Sequence, residues 1–243
     1  MDDALNVLYA TFAHYRIGGD FAGCKCCVGP EHSARLAAAP VRELTYEDLE
    51  QYSAKAISTW GTTHHFKHFL PRLLELAIEY RDDFLDLAVV FGKLALAQFD
   101  SWPQREQDAV NRFFDEYWDY QLAAPIFGSF DDSVDTVLCA ISNGLPSVQR
   151  FLDAWTATRT DTAKRHLAAF VLNNDKTLLK KGQLSSPFWD RSGKPHREVV
   201  AWLQSESVLS YFDGADDTVL AGEFAYAWPQ LMSIRSSLRD AWL

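Results

Sequence analysis

A chain of 243 residues, 48% hydrophobic and 14% aromatic with 23% charged residues, can bury a substantial core and is too apolar to be mainly disordered. Its formal net charge of −10 creates an acidic field that repels phosphate backbones, so no nucleic acid partner is expected. No run of about eighteen apolar residues occurs, which argues against a membrane span, and the acidic start at Met1–Ala4 lacks the basic-then-apolar pattern of a signal peptide. The expected location is therefore the cytoplasm, where thiols stay reduced.

Asp3 is expected to cap a first helix whose apolar face is Leu5, Leu8, Tyr9, Phe12 and Tyr15, with Gly18 and Gly19 stopping it. Phe21 to Pro30 reads as a loop, and Pro30 opens a short helix that Pro40 ends. Thr45 and Asp48 have the spacing of a capping box, with Leu44 and Leu49 as its staple, for a helix running to Trp60.

The densest apolar helical pattern follows, at Phe66, Phe69, Leu70, Leu73, Leu74, Ala77 and Tyr80. Gly61 can take a left-handed conformation that closes the preceding helix, and Thr62 or Thr63 can cap the next. Pro71 lacks an amide donor, so a short turn over His64–Phe69 and a helix restarting at Pro71 are expected. His64, His68, Arg72, Glu75 and Glu79 form the polar side. A solvated face explains them, while His64 and His68 at i and i+4 can also share a metal ion.

Asp82 or Asp83 starts the next helix, and Ser101–Gln104 the long aromatic one, inward at Val110, Phe113, Phe114, Tyr117 and Tyr120 and ending before Pro125. Asp132 or Ser133 opens another, closed at Asn143–Pro146, and further helices carry Phe151 to Trp155 and, after a Thr160 or Asp161 cap, Leu167 to Val171. Residues 183–195 lack helical period. They form either a surface loop or the nearest thing to a domain joint. Helices at Val199 to Leu203 and Val208 to Phe212 follow, then one capped by Asp216 or Asp217 and a last one opened by Pro229. The expectation is a single all-helical domain, 1–243, all-α with no strand. Two packings stay open: stacked antiparallel helix pairs in a solenoid-like, HEAT/armadillo-like array, or an irregular helical globule.

The local cluster with chemistry is Cys24-Lys25-Cys26-Cys27 with His32 close behind. Thiolate and imidazole are good zinc ligands, so Cys24, Cys26, Cys27 and His32 are candidate metal ligands and zinc the candidate cofactor. The spacing differs from a zinc finger, and the adjacency of Cys26 and Cys27 works against one shared ion; His68 or Cys139 can complete a site if the fold brings it near. Ordinary partly buried thiols and a redox or nucleophilic cysteine are the competing readings. Cys139, beside Leu138 and Ile141, reads as core.

The Cys-x-Cys-Cys-Val segment, the Pro-Val-Arg-Glu-Leu that follows it, and Trp-Gly…Phe-Lys-His-Phe-Leu-Pro-Arg-Leu-Leu-Glu-Leu together resemble a group of uncharacterised bacterial all-helical proteins over Phe21 to Tyr80. The resemblance implies a bacterial soluble protein and no particular chemistry. With no phosphate loop, nucleophile elbow or zinc-protease helix in the chain, the leading expectation is a non-enzymatic module that binds a protein partner through a helical face. A zinc protein built on the cysteine cluster is the alternative.

Overall fold

A computed structural model describes residues 1–79, 86–126, 134–212 and 221–240, the last helix with side chains over 225–238. Among the described residues there are twelve α-helices, two 3-10 turns (Val41–Glu43 and Phe99–Ser101) and no strand, as the all-α expectation required. The chain forms two compact units, Met1–Tyr117 and Trp118–Leu243. No helix among the described residues is long and apolar enough to cross a membrane.

The first unit contains α1 (Asp2–Phe12), α2 (Pro30–Ala38), α3 (Tyr46–Lys55), α4 (Thr63–Glu79), α5 (Leu87–Leu96) and the start of α6 (Gln104–Ala123). Helix α4 is its centre, packed against α1, α3 and α5. Its apolar face Phe66, Phe69, Leu70, Leu73, Leu74 and Ala77 is buried throughout. That face explains why Pro71 neither breaks nor restarts the helix, contrary to the expected restart. A mid-helix proline costs about 3 kcal/mol, whereas each Phe or Leu removed from water contributes about 1.5–3 kcal/mol. Several such side chains outweigh one proline, and α4 runs unbroken from Thr63 to Glu79.

Other boundaries also shift. Helix α1 ends at Phe12, before Gly18 and Gly19, and starts from Met1 with Asp3 in its first turn. The Thr45–Asp48 capping box forms, with each side chain bonded to the other's backbone. Helix α3 stops at Lys55 rather than reaching Trp60, because Ile57 turns left-handed at φ 67° and Trp60 folds back to accept the Ile57 amide. Gly61 has the expected positive φ, 72°. At the start of α4 the Thr62 amide donates to His65 Nδ1 at 3.1 Å, an imidazole in the first turn reaching back to the residue before the helix. Asp82 and Asp83 lie outside the described residues. Helix α5 is capped by Asp86, whose carboxylate accepts from the Ala88 amide.

The second unit contains the rest of α6, α7 (Val134–Gly144), α8 (Gln149–Ala157), α9 (Asp161–Lys181), α10 (Lys194–Leu203), α11 (Glu206–Phe212) and α12 (Ala221–Asp240). Helix α9 packs along α12 and against α7, while α8, α10 and α11 pack together. Thr160 caps α9 through the Ala163 amide, as its sequence position implies. Asp132, Ser133, Asp216 and Asp217 lie outside the described residues. Pro229 sits inside α12 and does not open it, a second proline absorbed by a continuous helix. Residues 183–193 are tied to the helices on either side: Ser185 donates its amide to Asn174 of α9 at 2.8 Å, and Leu184 donates to His196 of α10 at 3.2 Å.

Candidate metal centre

Between α1 and α2 the chain reverses tightly. The Cys24 carbonyl accepts the amides of Cys27 at 3.0 Å and Val28 at 2.9 Å, which closes Cys24–Cys27 into a turn. In an extended segment Cys26 and Cys27 would point to opposite faces. The turn removes that obstacle, and the Sγ atoms of Cys24, Cys26 and Cys27 all lie within 4.8 Å of one another. Cys26 and Cys27 are exposed and Cys24 is half-buried.

The turn is held from outside. The Cys24 amide donates to Thr59 O at 2.8 Å, the Gly61 amide to Ala22 O at 3.1 Å, and Gly23 pairs with Trp60 in an isolated bridge. Lys55 Nζ donates to the Cys27 carbonyl at 2.7 Å, and Gln51 Nε2 reaches the same oxygen at 3.4 Å. Gly23 permits the close approach of Val28, since a Cβ there would lie 2.5 Å from Val28 Cβ. Behind the turn Phe21 packs on Trp60, Tyr52 and Phe69, with ring centroids 5.5–5.9 Å apart. The left-handed break at Ile57, which ends α3 early, supplies the Thr59–Gly61 backbone that receives the cysteine turn.

Crowding three thiols sets their proton affinities apart. Hydrogen bonds from Cys26, and secondarily from Cys27, hold the Cys24 thiol below its ordinary value. The neighbouring Cys24 and Cys27 sulfurs push Cys26 up to about 11. One negative charge is easy to place on this turn and a second is not, unless a cation is present to neutralise it. Tetrahedral zinc at about 2.3 Å from each sulfur needs sulfurs about 3.8 Å apart, so a contraction of at most about 1 Å between any two of them would reach that spacing.

The other candidate ligands are placed elsewhere. His32 does not join the trio; it is exposed, with Nε2 4.0 Å from Glu31 Oε1. His64 and His68 share a face of α4, and that face is used for packing: His64 Nε2 bonds the Arg16 carbonyl and His68 Nδ1 the Tyr15 carbonyl, each at 3.0 Å. Burial lowers the His68 pKa, which favours its neutral form. Farther along this face Arg72 pairs with Glu75 at 2.7 Å and donates to Leu44 O, while Tyr9 donates to Glu75 at 2.5 Å. His64 and Glu79 at the two ends of the stripe are exposed as expected, while His68, Arg72 and Glu75 between them are half-buried against Tyr15, Leu44 and Tyr9. Cys139 is buried in the second unit, donating to Ser186 Oγ at 3.6 Å.

Two buried polar groupings escape a reading by pattern alone. In the first unit Lys67 Nζ meets Glu106 Oε2 at 2.7 Å, Tyr15 donates to Glu106 Oε1 at 2.7 Å, and the Lys67 ammonium lies 4.1 Å from the Trp102 ring centroid. The available signal is that Lys67 sits three residues before Leu70 and seven before Leu74, a cation on the apolar face that demands a buried partner. In the second unit Asn174 donates to Asp135 Oδ2 at 2.9 Å, and burial raises the Asp135 carboxyl to about 6 against the opposing pull of that hydrogen bond. Asp135 likewise shares a helical face with Leu138.

Comparison with known proteins leaves the cysteine turn to be judged on its own chemistry: no family model, no curated protein and no solved structure matches this chain.

Proposed function

We propose that this chain is a metal-binding protein whose Cys24–Cys27 turn holds one thiophilic ion, zinc first, through the sulfurs of Cys24, Cys26 and Cys27. The observation that carries the reading is the convergence of three Sγ atoms within 4.8 Å on a turn pinned by Lys55 and Thr59. Three thiolates leave the fourth tetrahedral position to water or an incoming ligand, the arrangement of a site whose ion stays open to an outside group. The reading places the protein in a reducing compartment such as the cytoplasm. Cobalt(II) titration of the reduced protein tests it. A sulfur-to-cobalt charge-transfer band saturating near one equivalent, displaced by zinc and lost when the three cysteines are serine, is expected. A spectrum matching aqueous cobalt(II) contradicts it.

A second reading, a helical protein-binding module, is favoured by the exposed Tyr226, Trp228 and Met232 on α12. Affinity capture that recovers a discrete partner, lost on Tyr226→Ser with Met232→Ser, supports it. Capture unchanged by those substitutions argues against this face.

A further inference from the structure

We infer that Cys24 and Cys27 form a reversible dithiol–disulfide pair, and that its oxidation by a low-molecular-weight disulfide shuts the metal site. Only the second half rests on the metal reading.

Geometry selects the pair among three. Cys24 and Cys27 are the ends of a hydrogen-bonded four-residue turn, which keeps their Cα atoms within about 7 Å. A disulfide takes Cα separations of about 4.4–6.8 Å. Cys26 and Cys27 are neighbours, with Cα atoms about 3.8 Å apart, below that range. A Cys24–Cys26 bridge has one residue between its ends and closes a tighter ring inside the turn that the Cys27 and Val28 amides already close. Bridging Cys24 to Cys27 keeps both amide bonds, the Lys55 contact to the Cys27 carbonyl and the Thr59 contact to the Cys24 amide.

The chemistry is two exchanges. The Cys24 thiolate attacks one sulfur of a small disulfide RSSR, giving Cys24–S–S–R and expelling RS⁻. The Cys27 thiolate then attacks Cys24 Sγ, forming the Cys24–Cys27 bond and expelling the second RS⁻. The protein loses two electrons, RSSR gains them, and the two thiol protons end on the two released thiolates. Cys26 is left as a single thiol, too little to hold zinc.

The test equilibrates the metal-free full chain with glutathione and glutathione disulfide at graded ratios, then traps free thiols with N-ethylmaleimide. Trypsin cuts after Lys25, so Cys24 lies on one peptide and Cys26 with Cys27 on the next, and backbone fragmentation between Cys26 and Cys27 of the joined pair shows which of the two is alkylated. The expected product is the Cys24 peptide joined to Cys27 with Cys26 alkylated. Cys26→Ser should retain the bridge, and Cys24→Ser or Cys27→Ser should lose it. A bridge to Cys26, a Cys26–Cys27 bond, or no intramolecular disulfide at any ratio overturns the pair. In a second arm, one equivalent of zinc should slow bridge formation at least about tenfold, and oxidation should release the ion to a chromophoric chelator. Zinc bound by the reduced chain but retained on oxidation overturns the coupling, while no zinc bound before oxidation counts against the metal reading and leaves the pair standing.

Discussion

Lys67 Nζ and Glu106 Oε2 stand 2.7 Å apart on two buried side chains, joining the second turn of α4 to the first turn of α6. Tyr15 donates to the other oxygen of the same carboxylate. Removing one member strands the other charge away from water, a loss of about 3–5 kcal/mol. Lys67→Met and Glu106→Gln should each lower the unfolding free energy by roughly that amount in urea titrations. Lys67→Met combined with Glu106→Gln should cost clearly less than the sum of the two single losses. Single losses below about 1 kcal/mol, or a strictly additive double variant, contradict a buried and coupled pair.

Asp135 makes stability depend on pH in a defined direction. Burial raises its carboxyl from 3.8 to about 6, so the folded state favours the neutral acid. The stabilisation this gives is fully present below the unfolded value and is lost as pH rises through about 6. The unfolding free energy of wild type, relative to Asp135→Asn, should therefore fall by about 3 kcal/mol between pH 3 and pH 8. Parallel profiles for the two proteins across that range would sink the assignment.

Lys55 holds the cysteine turn without touching a sulfur. Its Nζ fixes the Cys27 carbonyl at 2.7 Å, and groups that orient ligands in this way are worth about tenfold or more in metal affinity. Lys55→Met should weaken zinc binding about tenfold, read by competition with a chromophoric chelator. Unchanged affinity would show that the turn holds its shape alone.

Gly23 should tolerate no side chain while Val28 keeps its present place. The added methyl of Gly23→Ala would meet Val28 Cβ at 2.5 Å, and such overpacking costs about 1–3 kcal/mol. Trimming Val28 to Ala in the same chain should recover part of the loss. Denaturation midpoints of the single and double variants decide this; a Gly23→Ala protein as stable as wild type contradicts the contact.

What the sequence makes legible is local. The Thr45–Asp48 box, the Thr160 cap, the positive φ of Gly61 and the apolar face of α4 each depend on residues within a turn or two of one another, and each forms. The misreadings are of a different kind. Pro71 and Pro229 break helices in isolation, yet here they lie inside continuous ones. Ile57 carries no mark of a left-handed turn, and its conformation goes with a backbone bond to Trp60. The polar stripe of α4 reads as solvated because its partners Tyr9, Tyr15 and Arg16 are about fifty or more residues away in sequence. The cysteine turn is an intermediate case. Its ligand types are plain in the sequence, but the adjacency of Cys26 and Cys27 argues against convergence until the Cys24 carbonyl is seen to close the turn.

The most direct measurement is the zinc content of the reduced chain, loaded with excess zinc and freed of unbound metal by gel filtration, beside a variant carrying Cys24→Ser, Cys26→Ser and Cys27→Ser. About one equivalent in wild type and less than about a tenth in the variant is the predicted result. Less than about a tenth in both, or equal zinc in the two proteins, contradicts a metal centre on this turn.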